Sequence, residues 1–356
     1  MKILCINESL GSGGAERQLS GLAVMLKQRQ YDVEVWYYVD KEFYLHDLVT
    51  NNVVARYLPD ARPAKHRFFA LRKHIKEYNP DTIISYSASS SMITCLIKML
   101  GGGFKLIVSE RNTTQIIDTR ERFKFFLYKW ADRIVPNSFS QHDFIEKHFP
   151  KLLPKTVVIT NFVDINRFNT STKEGSNNDV LQIVCVGRLM PQKNIPLFID
   201  AVGEVTKKGY KVMVDWFGQS FDVDYTDMLY KKINEKGLSE KFCFHKPSSN
   251  IQNEYHKADV FCLPSLYEGF PNVLCEAMSC GLPVLCSSVC DNPNIAKKGV
   301  NGYLFDPQNV EDVADTIIRF IMLDSDSRKE MGRKSREIAE SLFSSKVFLK
   351  KYLDII

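Results

Sequence analysis

Residues 263–285 read LPSLYEGFPNVLCEAMSCGLPVL. The apolar run that ends at Leu263 and the one that begins at Pro283 read as strands. Between them lie a polar loop with Glu268 and Gly269, a helix opened by Pro271, and Gly281 placed to stop it. Proline suits the first turn of a helix, because its missing N–H would go unused there, and glycine suits the residue past the end. The amides of Asn272, Val273 and Leu274 are then predicted to be free at the helix start, an anion site made of backbone. Glu268 sits in the loop before that start, and Glu276 lies one to two turns inside the helix.

The same alternation runs outward in both directions. KVMVDWFG, KFCFH and PVLCSS continue the strands of this half, while KILCIN, DVEVWYYV, VVARYL, DTIISYS, KLIVSE and DRIVPNS supply the other. Short β-rich runs separated by helical stretches imply α/β domains with parallel sheets covered on both faces. Between the halves, NTSTKEGSNNDV (169–180) is almost wholly polar and reads as a linker or long loop. The expected architecture is two tandem Rossmann-like domains, residues 1–170 and 171–340, with a cleft between them. Residues from Ser325 onward read as helical, and ITNFVDINRF (159–168) reads as a strand before the linker.

Composition narrows the function classes. The chain has 356 residues, 44% of them hydrophobic and 25% charged, with nine cysteines and a net charge of +5. That charge is too small to point to nucleic acid, and no apolar run is long enough for a membrane span. The opening MKILCINESLG lacks the features of a secretory signal, so the expected location is the cytoplasm. The cysteines form no CxxC pair and mostly lie in apolar runs, the pattern of buried reduced thiols rather than a metal site. Two stretches are locally basic: RPAKHRFFALRKHIK (62–76) and RERFKFFLYKWADR (120–133). Each is either an amphipathic helix packed by its aromatic side or a helix resting on an anionic membrane surface.

Two loops carry chemistry besides the opening stretch. GRLMPQKN (187–194) follows a strand and offers Arg188 and Lys193, two fixed cations suited to a diphosphate. SLGSGGAER (9–17) follows the first strand and nearly forms a dinucleotide fingerprint, but Glu16 stands where a small residue is needed and would oppose a pyrophosphate. Glu16 is left to serve the helix N-terminus, or to meet a hydroxyl or the neighbouring Arg17. Asp222 and Asp224 spell a short acidic motif in a polar loop with no further metal-binding context.

Taken together, GGAER (13–17), GRLMPQKN and EGFPNVLCE (268–276) resemble the retaining family 4 glycosyltransferases of the GT-B fold, of the type found in bacterial surface-glycan synthesis. ITNFVDINRF and NGYLFDP (301–307) extend the resemblance over nearly the whole chain. It implies transfer of a sugar from a nucleotide diphosphate sugar, UDP-linked by family habit, to a glycan or polyprenyl-diphosphate-linked acceptor at the cytoplasmic membrane surface. It implies no cofactor and no metal. Arg188 and Lys193 would hold the departing diphosphate, with Glu268 near the donor sugar and Glu276 on the ribose. Gly187, Asn194, Gly269, Phe270, Pro271, Asn272, Val273 and Leu274 would complete the donor site. The N-terminal domain would take the acceptor through Gly13, Gly14, Glu16, Glu110 and Arg111, and residues 341–356 would return to it. SERNT (109–113) places Arg111 where some relatives carry a histidine, so no histidine is carried over, and Glu110 and Arg111 either line the cleft or form a structural salt bridge. His245 and Lys246 stand where the family often has glycine. A nucleotide-sugar epimerase and a non-catalytic nucleotide-binding subunit are the alternatives; a nicotinamide dehydrogenase is disfavoured by Glu16.

Overall fold

The computed structural model describes residues 1–114, 116–170 and 179–356; most of the polar linker, residues 171–178, lies outside them. Among the described residues the chain forms two compact units. The first is Met1–Phe162 together with Lys346–Ile356, and the second is Val163–Ser345. The change of unit therefore falls before the polar stretch, at Phe162/Val163, and the return falls at Lys346. Side-chain packing sets these points. Phe162 packs on Phe348 and exchanges two backbone bonds with the Gln18 amide, whereas Val163 and Phe168 are buried in the second unit's core.

The first unit's sheet contains β1 (Lys2–Ile6), β2 (Asp32–Tyr37), β3 (Val54–Tyr57), β4 (Thr82–Ser85), β5 (Lys105–Glu110) and β6 (Arg133–Pro136), in the order β3-β2-β1-β4-β5-β6. The second contains β7 (Leu181–Val186), β8 (Val212–Phe217), β9 (Phe242–His245), β10 (Val260–Leu263), β11 (Val284–Ser287) and β12 (Gly302–Phe305), in the order β12-β11-β10-β7-β8-β9. All pairings are parallel, and counted from its own first strand the second sheet repeats the order of the first. Each expected strand of the two sheets is present. ITNFVDINRF is the exception: it runs irregularly and makes a single bridge from Val163 to Ser344.

Burial on both faces explains the near-continuous apolar strands. In β10 Val260 and Cys262 enter one core while Phe261 and Leu263 enter the other, because successive side chains alternate across a sheet. β1 divides Ile3 and Cys5 from Leu4 and Ile6 in the same way. Seven of the nine cysteines are buried, and none is in a disulfide. The order in which successive strands are added reverses between β1 and β4 in one sheet and between β7 and β10 in the other. Open α/β sheets bind ligands beyond the carboxyl ends of strands at such reversals. The loops after β7 and β10 are GRLMPQKN and PSLYEGFPN, the two stretches singled out from the sequence.

Candidate functional site

In the second unit these two loops are stitched together. The Leu266 N–H donates to the Gln192 carbonyl at 2.9 Å, and the Gln192 amide donates to the Tyr267 carbonyl at 2.8 Å. Beside them Lys193 Nζ donates to Glu268 Oε1 at 2.6 Å, with only 13% and 10% of the two side chains exposed. The Glu268 N–H is in turn held by Cys290 Sγ at 3.4 Å, from a residue in the left-handed region at φ +48°. Arg188 is exposed and makes no side-chain bond or ion pair among the described residues. One cation of the loop is thus paired with a carboxylate and the other is not.

Glycines make room for this arrangement. A Cβ at Gly187 would lie 2.9 Å from Lys193 Cε, so the lysine stem crosses the glycine. Gly218, directly after β8, approaches the Gly187 backbone so closely that a Cβ would come within 1.9 Å of its carbonyl oxygen. That same oxygen accepts from the Trp216 indole at 2.8 Å. Gly218→Ala is expected to destabilise the second unit by about 1–3 kcal/mol through overpacking and to shift the Lys193 loop with it. Thermal melts and transfer assays of that variant check both effects. Gly218, at the end of the strand that neighbours β7, is the visible mark of this close approach in the sequence.

Asn194 braces the loop through its backbone and its side chain. It occupies φ +55°, a region asparagine tolerates, and its buried side-chain amide donates to the Pro307 carbonyl at 2.7 Å. The helix after Pro271 spans Asn272–Ser279. Its amides are less free than predicted: Asn272 N–H donates to the Phe270 carbonyl and Leu274 N–H to that of Pro271, which leaves the Val273 N–H without a backbone acceptor among the described residues. The tight turn at Phe270–Pro271 brings those carbonyls back over the helix start. Phe270 is buried in the core beside Phe343, Gly269 is half-buried, and Glu276 is buried on the helix. Asp222 caps the helix Val223–Glu235 by accepting from Tyr225 N–H, and Asp224 lies in that helix's first turn. His245 is hydrogen-bonded to Asp215 at 2.6 Å and stacks on Phe217.

The first unit has a site of its own. The loops after β1, β4 and β5 line a cavity of about 940 Å³ whose wall includes Glu16, Glu110 and Arg111. Gly13 precedes the helix Gly14–Gln28, and the Glu16 carboxylate folds back over it: a Cβ there would meet Glu16 Oε2 at 2.3 Å. Glu16 also accepts from the Ser9 hydroxyl at 3.2 Å, so of the roles left open to it, the helix terminus and a hydroxyl are both filled by its own chain.

Glu110 and Arg111 line the cavity without pairing with each other. Glu110 is buried and accepts from Lys124 Nζ at 2.7 Å and from the Tyr128 hydroxyl. Lys124 also reaches Glu121 at 2.7 Å. Burial alone would lower the Lys124 ammonium, but Glu110, and then Glu121, outweigh it and hold the pKa above the ordinary lysine value. Burial, followed by Glu110, raises the Tyr128 phenol well above its ordinary range. Arg111 lies 4.0 Å over the Tyr86 ring, donates to Asn161 Oδ1 at 2.8 Å and donates to the Tyr352 hydroxyl at 2.7 Å. Lys124, Tyr128, Tyr86 and Tyr352 were missed in the sequence. A lysine among the aromatics of RERFKFFLYKW was the one visible hint.

Comparison with known proteins bears on the family and the fold. Residues 166–338 match the model for glycosyl transferases group 1, and residues 12–167 match that for glycosyltransferase family 4. The amylovoran biosynthesis glycosyltransferase AmsD of Erwinia amylovora is 26% identical over 99% of both chains. The N-acetylgalactosamine-N,N'-diacetylbacillosaminyl-diphospho-undecaprenol 4-alpha-N-acetylgalactosaminyltransferase of Campylobacter jejuni is 27% identical over 78% of each. Among solved structures, Anabaena HepE with UDP and glucose superposes with a TM-score of 0.84 at 22% identity, over 100% of this chain and 99% of that one. With both halves matched in chain order and two parallel Rossmann-like sheets, the chain belongs to the group 1 glycosyltransferases and is an enzyme of the GT-B fold.

Proposed function

We propose that the enzyme moves a sugar from a UDP-sugar to a glycan carried on polyprenyl diphosphate, with retention at the anomeric carbon and without a metal ion. The observation that carries this reading is the Lys193–Glu268 pair, which joins the two loops beyond β7 and β10, with Arg188 exposed in the first of those loops. In the proposed reaction Arg188 and Lys193 offset the charge that grows on the departing diphosphate, the electrostatic contribution that usually dominates such a rate. Glu268 faces the donor sugar, and Glu276 holds the ribose. The acceptor class follows the Campylobacter relative, whose name states a diphospho-undecaprenol substrate.

The test is a matrix of UDP- and GDP-sugars against polyprenyl-diphosphate saccharides, with nucleotide release as the readout and the product's anomeric proton as the measure of stereochemistry. Acceptor-dependent release from UDP-sugars, unchanged by a chelator, is expected. Conversion of the nucleotide sugar without acceptor would instead identify an epimerase, and an inverted product would remove the retaining mechanism.

Peripheral binding to the cytoplasmic membrane surface is part of the same proposal. No helix among the described residues is long and apolar enough to cross a membrane. The helix Thr119–Leu127 buries Phe125 but exposes Phe123 by 51% and Phe126 by 47%, with Lys129 4.5 Å over the Phe126 ring and Arg120 and Arg122 exposed beside them. Aromatic rings flanked by cations suit an anionic bilayer surface. The Phe123→Ser/Phe126→Ser variant is expected to bind vesicles containing anionic lipid about tenfold more weakly. Equal sedimentation of variant and wild type would remove this part of the proposal.

A further inference from the structure

The first unit's cavity holds cations in two different states. Lys124 is shared between Glu110 and Glu121, so its charge is more than balanced. Arg67 and Arg111 have no carboxylate within ion-pair distance among the described residues, and neutral groups alone hold them. Arg67 donates to the carbonyls of Ala61 and Arg62 and to the Ser89 hydroxyl, with its guanidinium 4.3 Å over the Tyr38 ring. Arg111 is held by Asn161, Tyr352 and Tyr86 as described, and Tyr352 is fixed in turn by the Tyr86 hydroxyl at 2.8 Å. The buried Nε of Arg111 has no acceptor among the described residues.

A guanidinium locked in place by neutral partners keeps its full charge and has little freedom left to lose on binding. Two of them in one concave wall form a preorganised anion receptor. None of the wall's carboxylates is within ion-pair distance of either guanidinium among the described residues: Glu110 and Glu121 share Lys124, Asp118 caps its own helix through Glu121 N–H, Glu16 is turned back over Gly13, and Glu8 is exposed. Hydroxyls of Ser87, Thr113 and Thr114, in the loops after β4 and β5, and of Ser89, in the helix Ala88–Met99, share the wall. Hydroxyl donors and two separated guanidiniums suit an anion with many oxygens, more than a single carboxylate supplies.

We infer that Arg67 and Arg111 bind a phosphate or diphosphate ester on the acceptor. This recognition is separate from that of the donor diphosphate by Arg188 and Lys193, and it rests on the acceptor class proposed above. The enzyme then reads the charged anchor of its acceptor as well as the saccharide.

The first arm of the test measures transfer to one saccharide in three forms: on polyprenyl diphosphate, on a short water-soluble alkyl diphosphate, and as a neutral alkyl glycoside. Arg67→Gln and Arg111→Gln are each expected to raise KM for both charged acceptors about 10- to 100-fold. KM for the neutral acceptor and for the donor should hold within about threefold, and Arg111→Lys should recover part of the loss. A rise confined to the polyprenyl form would mean that the chain, not the phosphate, is recognised, and would overturn the inference. So would an equal rise for charged and neutral acceptors.

The second arm needs no turnover. Inorganic pyrophosphate is titrated calorimetrically into the protein saturated with UDP. Binding is expected in the wild type and in Lys193→Ala, and is expected to be lost in Arg67→Gln with a cooperative melt retained. No binding to the wild type, or equal binding to Arg67→Gln, overturns the inference whether or not the transfer reaction proves to be the proposed one. Arg67 touches neither Tyr352 nor Asn161, so this arm stands even if Arg111→Gln fails to fold.

Discussion

Lys193→Ala is expected to lower kcat about 10²- to 10³-fold, the usual cost of removing one fixed donor aimed at developing negative charge. The ammonium has two demands on it. It is bound to Glu268 at 2.6 Å, and in the proposed reaction it must also serve the leaving phosphate. Glu268→Gln separates these roles. If Lys193 acts only by holding Glu268, the double variant should be no slower than the slower single variant; if each group meets the donor, the losses should compound. Glu276→Ala belongs to the same series and should lose most activity with a cooperative melt. Full transfer activity in Lys193→Ala would remove the diphosphate role from this loop.

The second large effect is on stability. Lys124→Met would leave the Glu110 carboxylate buried with only the Tyr128 hydroxyl as a neutral donor, and removing one partner of a buried ion pair costs about 3–5 kcal/mol. For a unit of this size that corresponds to a fall in Tm of about 6–20 °C. Adding Glu110→Gln should restore part of it, because the neutral amide carries no buried charge. The pair also gives stability a pH limit. The Lys124 pKa is raised in the folded state, so its contribution is full below the unfolded lysine value of about 10.4. It is lost as pH climbs through the higher folded value. Wild type should therefore lose Tm more steeply than the double variant above that pH. Equal Tm for wild type and Lys124→Met at neutral pH would show that the network contributes nothing.

The strands were legible because both faces of each sheet are buried, which forces continuous apolar runs such as VFCLP and PVLCSS. The loop at 263–285 was legible because proline and glycine mark its helix at both ends. Pairing across loops was not. Gln192, Lys193 and Glu268 meet only when β7 and β10 lie side by side, 75 residues apart in sequence for the ion pair. The partner of the Asn194 amide, the Pro307 carbonyl, lies 113 residues away in sequence. Glu110 ends β5 and Arg111 follows it, and their partners Lys124 and Tyr352 lie 14 and 241 residues away. The polar stretch at 169–180 drew the expected boundary, but Val163 and Phe168 had already entered the second core.

Residues 346–356 complete the first unit although they follow the whole of the second. Tyr352 is buried against Tyr86 and Arg111, and Lys105 Nζ donates to the Ile356 carbonyl. During synthesis on the ribosome, domains ordinarily fold in the order in which they emerge. Here the earlier half must wait, with part of its interior open, until the later half has left the exit tunnel. The nascent first unit is accordingly the stage most exposed to chaperones and proteases.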